Sequence, residues 1–355
     1  MRLYAKISLV SAILMMWSAT GHAAQSRPNE APAPLCAKKN QPLNEERFVS
    51  IGGIEQWVTM KGANCANPVI LFIHGGPGNP NSPYADNIYS AWQKDFTLVQ
   101  WDQRGAGRTF GRGKDQSRLT IELMTRDGIE LASYLTDRLG QKKIILMAGS
   151  WGSVLGVHMA KARPELFHAY LGVGQLVDHQ ENITASYRRL TTLARAAGDA
   201  KTLASLEPLG PPPWTDPRSF GAMRRATRIY EAKTSTAAPA GWWKPSPVYA
   251  TNEALANYEA GEDFSYLQFV GLAGNGMLST VSLPKLGTDF RIPFFLVQGA
   301  EDLVTVPEVA KAYFDTITAP SKKFRLVPST GHDPNAALVD AQYEILKTDI
   351  RPLVR

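Results

Sequence analysis

Two cysteines among 355 residues are too few for a disulfide-built scaffold. No run of five like charges occurs, and the basic pairs Lys38-Lys39, Lys142-Lys143, Arg188-Arg189, Arg224-Arg225 and Lys322-Lys323 fall in different segments. They read as solvated surface, so no nucleic-acid partner is expected. Of the 38 Lys and Arg, Arg2 and Lys6 lie in residues 1–24, which hold no acid; the other 36 against 32 acids make a weak balance. The longest apolar candidate near the N-terminus, Ile7 to Ala19, is too short to span a bilayer. No G-x-x-x-x-G-K-[ST] string occurs and no acid is placed for a ribose, which argues against nucleotide binding. The 29 glycines and 24 prolines are not periodic and no internal repeat is visible, so collagen-like and low-complexity classes are excluded.

What is present is a globular composition, 44% hydrophobic and 20% charged, enough to bury a sizeable core. Arg2 and Lys6, the apolar stretch and the small residues Gly21, Ala23 and Ala24 have the layout of an export signal over residues 1–24. Cleavage near Ala23 or Ala24 leaves a chain starting around Gln25, periplasmic or secreted and without a stable membrane anchor. Leu35 before Cys36 disfavours lipid attachment. In an oxidising compartment two cysteines pair by default. Phe48–Ile51 and Ile54–Met60 read as strands around the turn Gly52-Gly53. Residues paired across that hairpin have numbers summing to about 105, and Cys36 and Cys65 come close to this. A Cys36–Cys65 disulfide is therefore expected.

From Pro68 onward strands and helices alternate. The apolar runs Pro68–Ile73, Phe96–Trp101, Lys143–Ala148 and Phe167–Val173 interleave with helical Tyr84–Trp92, Ile121–Leu139 and Val154–Arg163. Such alternation implies an α/β fold with a parallel sheet covered on both faces. The pattern stops near Gln175 and resumes with strand Phe294–Gln298, helix Pro307–Thr316, strand Lys323–Val327 and a helix from about Asn335 to Leu353. Between lies helical periodicity, as in Ile183, Tyr187, Leu190 and Leu193 or Phe220, Met223 and Ile229, broken by Pro208–Pro217 and Ala237–Pro247. The organisation read from this is a signal (1–24), an exported linker (25–47), a catalytic domain in two pieces (48–175 and 290–355) and an inserted helical cap (176–289) over the carboxyl edge of the sheet.

Strand Lys143–Ala148 runs into Gly149-Ser150-Trp151-Gly152-Ser153 and then an apolar helix. Small neighbours around a serine at a strand-to-helix turn permit the strained backbone that projects Oγ clear of the sheet. A nucleophilic serine needs a base, and the base an orienting acid. The two later strands end in Glu301-Asp302 and in Gly331-His332, giving the order Ser150, Asp302, His332. Glu301 is the competing acid. The loop His74-Gly75-Gly76-Pro77-Gly78 follows a strand, and its glycines let the backbone approach a substrate. The backbone N–H groups of Gly76 and Trp151 are assigned to an oxyanion hole.

The strings HGGPG at His74–Gly78, WDQRGAGRT at Trp101–Thr109 and GSWGS at Gly149–Ser153 resemble those of proline iminopeptidases, a branch of the α/β-hydrolases. The resemblance covers most of the chain from about Phe48. It implies an eight-stranded, mostly parallel sheet, a helical cap after the sixth strand, and a serine triad that releases N-terminal residues, often proline, from short peptides. It requires no metal and no organic cofactor. Asn79 stands where the family usually has glycine, and Ala148 replaces a glycine at the elbow. Acidic residues in the cap hold the substrate amine in this family; Glu181, Glu259, Glu262 and Asp263 are the candidates, Glu181 first. Trp214, Trp242 and Trp243 either line an apolar pocket or pack the cap. An ester or lactone hydrolase is the alternative activity, and a binding protein on a hydrolase scaffold the alternative class.

Overall fold

The computed structural model describes residues 35–36, 40–112 and 118–354. The export signal expected over residues 1–24, and the linker as far as residue 34, lie outside the described residues. Cys36 and Cys65 are joined, with their Cα atoms 5.5 Å apart.

Eight strands form one sheet in the order β1-β2-β4-β3-β5-β6-β7-β8. The first two, β1 (Leu43–Ile51) and β2 (Ile54–Gly62), make the expected hairpin, longer at its open end, with Ile51 opposite Ile54 and Leu43 opposite Gly62. Gly52 and Gly53 both have positive φ, as a two-residue turn matched to strand twist requires. Antiparallel pairing continues from β2 to β4 (Thr97–Asp102). From β4 through β3 (Val69–Ile73), β5 (Ile144–Gly149), β6 (Phe167–Val173), β7 (Phe294–Gly299) and β8 (Lys322–Val327) every pairing is parallel. The central strands are apolar on both faces because helices cover both sides. Val69, Leu71 and Ile73 join one buried cluster with helices Ile121–Leu139 and Trp151–Ala162. Ile70 and Phe72 join another with Trp92, Leu338 and Ile345. Each such side chain contributes about 1.5–3 kcal/mol of burial.

Two helical expectations change. Tyr84–Trp92 forms a short helix, Ala85–Tyr89, that tightens into a 3-10 turn, Ser90–Lys94. The last expected helix holds from Ala336 to Ile345 and then widens to a π turn over Leu346–Ile350. Between β6 and β7 lie three long helices, His179–Ala196, Pro217–Thr234 and Asn252–Val270. Ile229 does not share the buried face of Phe220 and Met223; it is 52% exposed. Six positions from Met223 and nine from Phe220, about 120° and 180° around the helix, it sits on the far side from them.

A further strut ties this segment to the sheet. Asp102, fully buried, accepts hydrogen bonds from Ser82 Oγ, from the Arg108 N–H and from Tyr249 Oη at 2.6 Å. Burial raises its pKa to about 6 despite those donors. The next residues of the same string are structural too. Gln103 Nε2 donates to the His74 carbonyl, and Arg104 forms a buried ion pair with Asp127 at 2.9 Å. Among the described residues no helix is long and apolar enough to cross a membrane.

Candidate active site

β5 ends at Gly149 and the helix Trp151–Ala162 begins immediately, so Ser150 alone makes the turn, at φ 52° and ψ −125°. A non-glycine residue there stores about 1–3 kcal/mol of strain. The turn is tolerated because its neighbours are small: a Cβ on Gly152 would lie 2.2 Å from the Ile73 carbonyl oxygen. Behind Ser150, the Trp151 N–H is in the first turn of the helix, where N–H groups have no partner within the helix.

Asp302 and His332 arrive from the ends of β7 and β8, the two parallel strands that follow β5 and β6 across the sheet. Ser150 Oγ is 2.9 Å from His332 Nε2, and His332 Nδ1 is 2.9 Å from Asp302 Oδ2. With Nδ1–H donating to the carboxylate, Nε2 is the acceptor for the serine hydroxyl. Asp302 is held by the N–H groups of Val304 and Thr305, by Thr305 Oγ1 and by Gln298 Nε2. Burial pushes its pKa up, but His332 and these donors outweigh that and hold the carboxylate below its ordinary value. Burial likewise lowers the pKa of His332, and the Asp302 charge reverses the direction, leaving the imidazole raised. Glu301 takes no part in this pair; it faces Arg189 Nη2 at 3.7 Å.

The loop after β3 lies against the serine: a Cβ on Gly75 would be 3.0 Å from that of Ser150. Gly76 and Trp151 both border a cavity of about 1050 Å³ that opens over Ser150 and His332. His74 does not reach it. Fully buried, with Nδ1 toward the Gly75 carbonyl and Nε2 accepting the Gln103 N–H, it is pushed down to about 4 and stays neutral.

The helical segment roofs the cavity and also holds the triad loops. Asn182 donates to the Val304 carbonyl and accepts from the Val306 N–H, while Ser186 Oγ donates to the Leu303 carbonyl. Glu231, buried, accepts from the Leu303 N–H at 2.6 Å and from the His332 N–H at 3.1 Å. Burial and then the charge of Asp302 raise its pKa.

Of the candidate cap acids, only Glu262 borders the cavity, with Asn79 Nδ2 3.4 Å away. Glu181 is corrected: it sits in the first turn of its helix, its N–H capped by Asp178 and its side chain exposed. Glu259 is corrected too. Tyr258, Glu262, Tyr266 and Phe269 recur at helical spacing along the cavity face, and Glu259, one residue off that stripe, faces solvent with Asp263. Glu231 was missed, because on the sequence it is one acid in a charged helix; the cue was its register with Thr227 and Arg224 on the face that turns inward. Of the tryptophans, Trp243 borders the cavity, while Trp214 packs between Tyr187 and Phe220.

A profile of the α/β-hydrolase fold matches residues 68–336, and the chain belongs to that family. It is similar to a probable aminopeptidase, YbaC, of Bacillus subtilis, with 26% identity over 81% of this chain and 90% of that one. Among solved structures, a proline iminopeptidase of Mycobacterium smegmatis superposes with TM-score 0.56 at 20% identity, covering 81% of this chain and 91% of that one. An epoxide hydrolase of Vigna radiata superposes with TM-score 0.50 at 20% identity, covering 86% and 98%. At these identities the structures speak for the fold alone.

Proposed function

We propose that this protein is an exported serine aminopeptidase that releases N-terminal proline or other residues from short peptides through an acyl-enzyme. The observation that carries the reading is the hydrogen-bonded chain from Ser150 through His332 to Asp302, beside a cavity that also holds two carboxylates. Ser150 Oγ attacks the scissile carbonyl while His332 Nε2 takes its proton, and Asp302 holds the imidazole and stabilises the imidazolium. The N–H groups of Gly76 and Trp151 receive the oxyanion; losing one such donor costs about 3–4 kcal/mol. As the tetrahedral intermediate collapses, His332 returns the proton to the leaving amine, and water repeats the sequence on the ester. A serine at the elbow, where epoxide hydrolases use a carboxylate nucleophile, separates this reading from the epoxide-hydrolase likeness.

Glu231 and Glu262 are the acids proposed for the substrate ammonium. Glu231, raised by burial beside a second buried acid, gains from any cation brought near it. The probable-aminopeptidase relative supports the same substrate class. Export is supported by the Cys36–Cys65 disulfide and the layout of residues 1–24. N-terminal sequencing of material from the cell envelope or medium should begin near Gln25.

The test offers the mature protein proline p-nitroanilide, the same compound with its amine blocked, and a short-chain nitrophenyl ester. Turnover of the free-amine anilide alone supports the reading. Equal turnover of the blocked compound sinks it, ester turnover alone selects an esterase, and no turnover across a broad panel selects a binding protein.

A further inference from the structure

The cavity contains a cation that the proposed chemistry does not use. Arg224 lies on helix Pro217–Thr234 and borders the cavity, with Glu231 two turns further along the same helix. Its Nη1 is buried and meets no hydrogen-bond partner among the described residues. No acid among those residues is hydrogen-bonded to this nitrogen, although the Arg224 charge acts on Glu262. Glu231 is committed to the N–H groups of Leu303 and His332, and Glu262 faces Asn79. A buried guanidinium nitrogen without an acceptor costs about 1–3 kcal/mol, more than a neutral donor would, so the position is expensive unless a ligand supplies the anion.

We propose that Arg224 receives the free carboxylate of the substrate, which makes the enzyme selective for dipeptides; the inference rests on the aminopeptidase reading. A carboxylate presents two oxygens to the flat fork of a guanidinium, the pairing for which arginine is best shaped. The side of the cavity fits as well. His332 hands its proton to the leaving amine, and Arg224 is the cavity cation whose charge reaches His332, as it also reaches Glu262. In a dipeptide the leaving residue carries the carboxylate. The substrate is then held at both ends, its ammonium toward the cavity carboxylates and its carboxylate on Arg224. A longer peptide places a neutral amide where the anion belongs and leaves the guanidinium unpaired.

The experiment compares kcat/KM for prolyl-alanine, prolyl-alaninamide and proline p-nitroanilide in the unaltered protein, in Arg224→Ala and in Arg224→Lys. The unaltered protein should prefer the free acid to the amide by about 10- to 100-fold, mainly through KM, which is the usual reach of a charge-assisted hydrogen bond. In Arg224→Ala the acid-to-amide ratio should fall to near one, and Arg224→Lys should restore part of it. Because the ratio is taken within each protein, a partly unfolded variant does not distort it. Turnover of the anilide with an acid-to-amide ratio near one in the unaltered protein overturns the inference and leaves the aminopeptidase reading standing, as does a ratio that Arg224→Ala does not change. Failure to cleave the free-amine anilide overturns the underlying reading instead.

Discussion

In the sheet, the groups proposed to react stand at the ends of strands: Ser150 after β5, Asp302 after β7 and His332 after β8. In the helical segment, the groups that face the cavity, among them Arg224, Glu231, Glu262 and Tyr258, are picked out only by the side of the helix they occupy. The first kind of position is fixed by topology, since neighbouring parallel strands must end together at one edge. The second is fixed by helix phase, and a shift of one residue turns a cavity acid into a solvent-facing one, as Glu259 beside Tyr258 illustrates. The two regions are not independent. Asn182, Ser186 and Glu231 bind the backbone of the loops that carry Asp302 and His332, so part of the triad's geometry is supplied by the roof.

The sharpest way to break this comparison is at the serine. Ser150→Ala should lower kcat on every substrate class by about 10⁴-fold or more, with no burst of acyl-enzyme product; stopped-flow release of nitroaniline reads it. If Ser150→Ala retained turnover, the sheet would not carry the chemistry at all.

Next comes the link between the N-terminal segment and the hairpin. Replacing Cys36 and Cys65 together with alanine opens a loop with a sequence separation of 29. The loss is about 3–4 kcal/mol by the chain-entropy account, which corresponds to a fall in Tm of roughly 5–10 °C by differential scanning calorimetry. Activity at room temperature should persist, because the bridge lies away from the cavity. A variant as stable as the parent would refute the loop-entropy account.

The cap should answer differently from the serine. Glu231→Gln is expected to lower kcat/KM for the free-amine anilide by about 10²-fold and to lower ester turnover less, since the charge is lost outright while only one of the two loop N–H groups loses its acceptor. Equal losses on both substrates would make Glu231 purely a clamp on the triad loops.

The pH profile sharpens the sheet side. His332 must be neutral to take the serine proton, and its pKa is raised by Asp302 against the effect of burial. Activity should therefore fall about tenfold per pH unit below a midpoint on the alkaline side of the ordinary histidine value, 6.5. A midpoint well below that value would contradict the Asp302–His332 pairing.

The smallest effect is expected at the strut. Tyr249→Phe removes one of the donors to buried Asp102 and should cost about 1–2 kcal/mol of stability, a shift of a few degrees in Tm. A larger loss of kcat than of stability would show that the strut also sets the position of the cap over Ser150.

Much of this was legible beforehand. Apolar runs placed the central strands to within a residue, because a strand covered on both faces must be apolar throughout, whereas the hairpin was found by its Gly52-Gly53 turn and its first strand starts five residues before the expected Phe48. The elbow, the order Ser150, Asp302, His332 and the pairing of Cys36 with Cys65 followed from local rules: small residues at a strained turn, reactive groups at strand ends, a two-glycine hairpin. Asp102, Gln103 and Arg104 belonged to a recognisable string, yet their work as a strut, a prop for His74 and a buried ion pair emerged only with the partners Tyr249 and Asp127, which lie far away in sequence. The widened final helix carried no sequence signal.

What the sequence determined, then, is the fold and the placing of Ser150, Asp302 and His332 at its strand ends, because strand order and turn chemistry are properties of short segments. What only the tertiary structure decided is which of the many charges in the helical segment face inward. Glu181 and Glu259 are turned away, Glu231 and Arg224 are brought in, and nothing in their local sequences distinguishes them. An exposed acid and a cavity acid sit on the same kind of helix; only the packing of that helix against the sheet's edge brings one of them to the cavity.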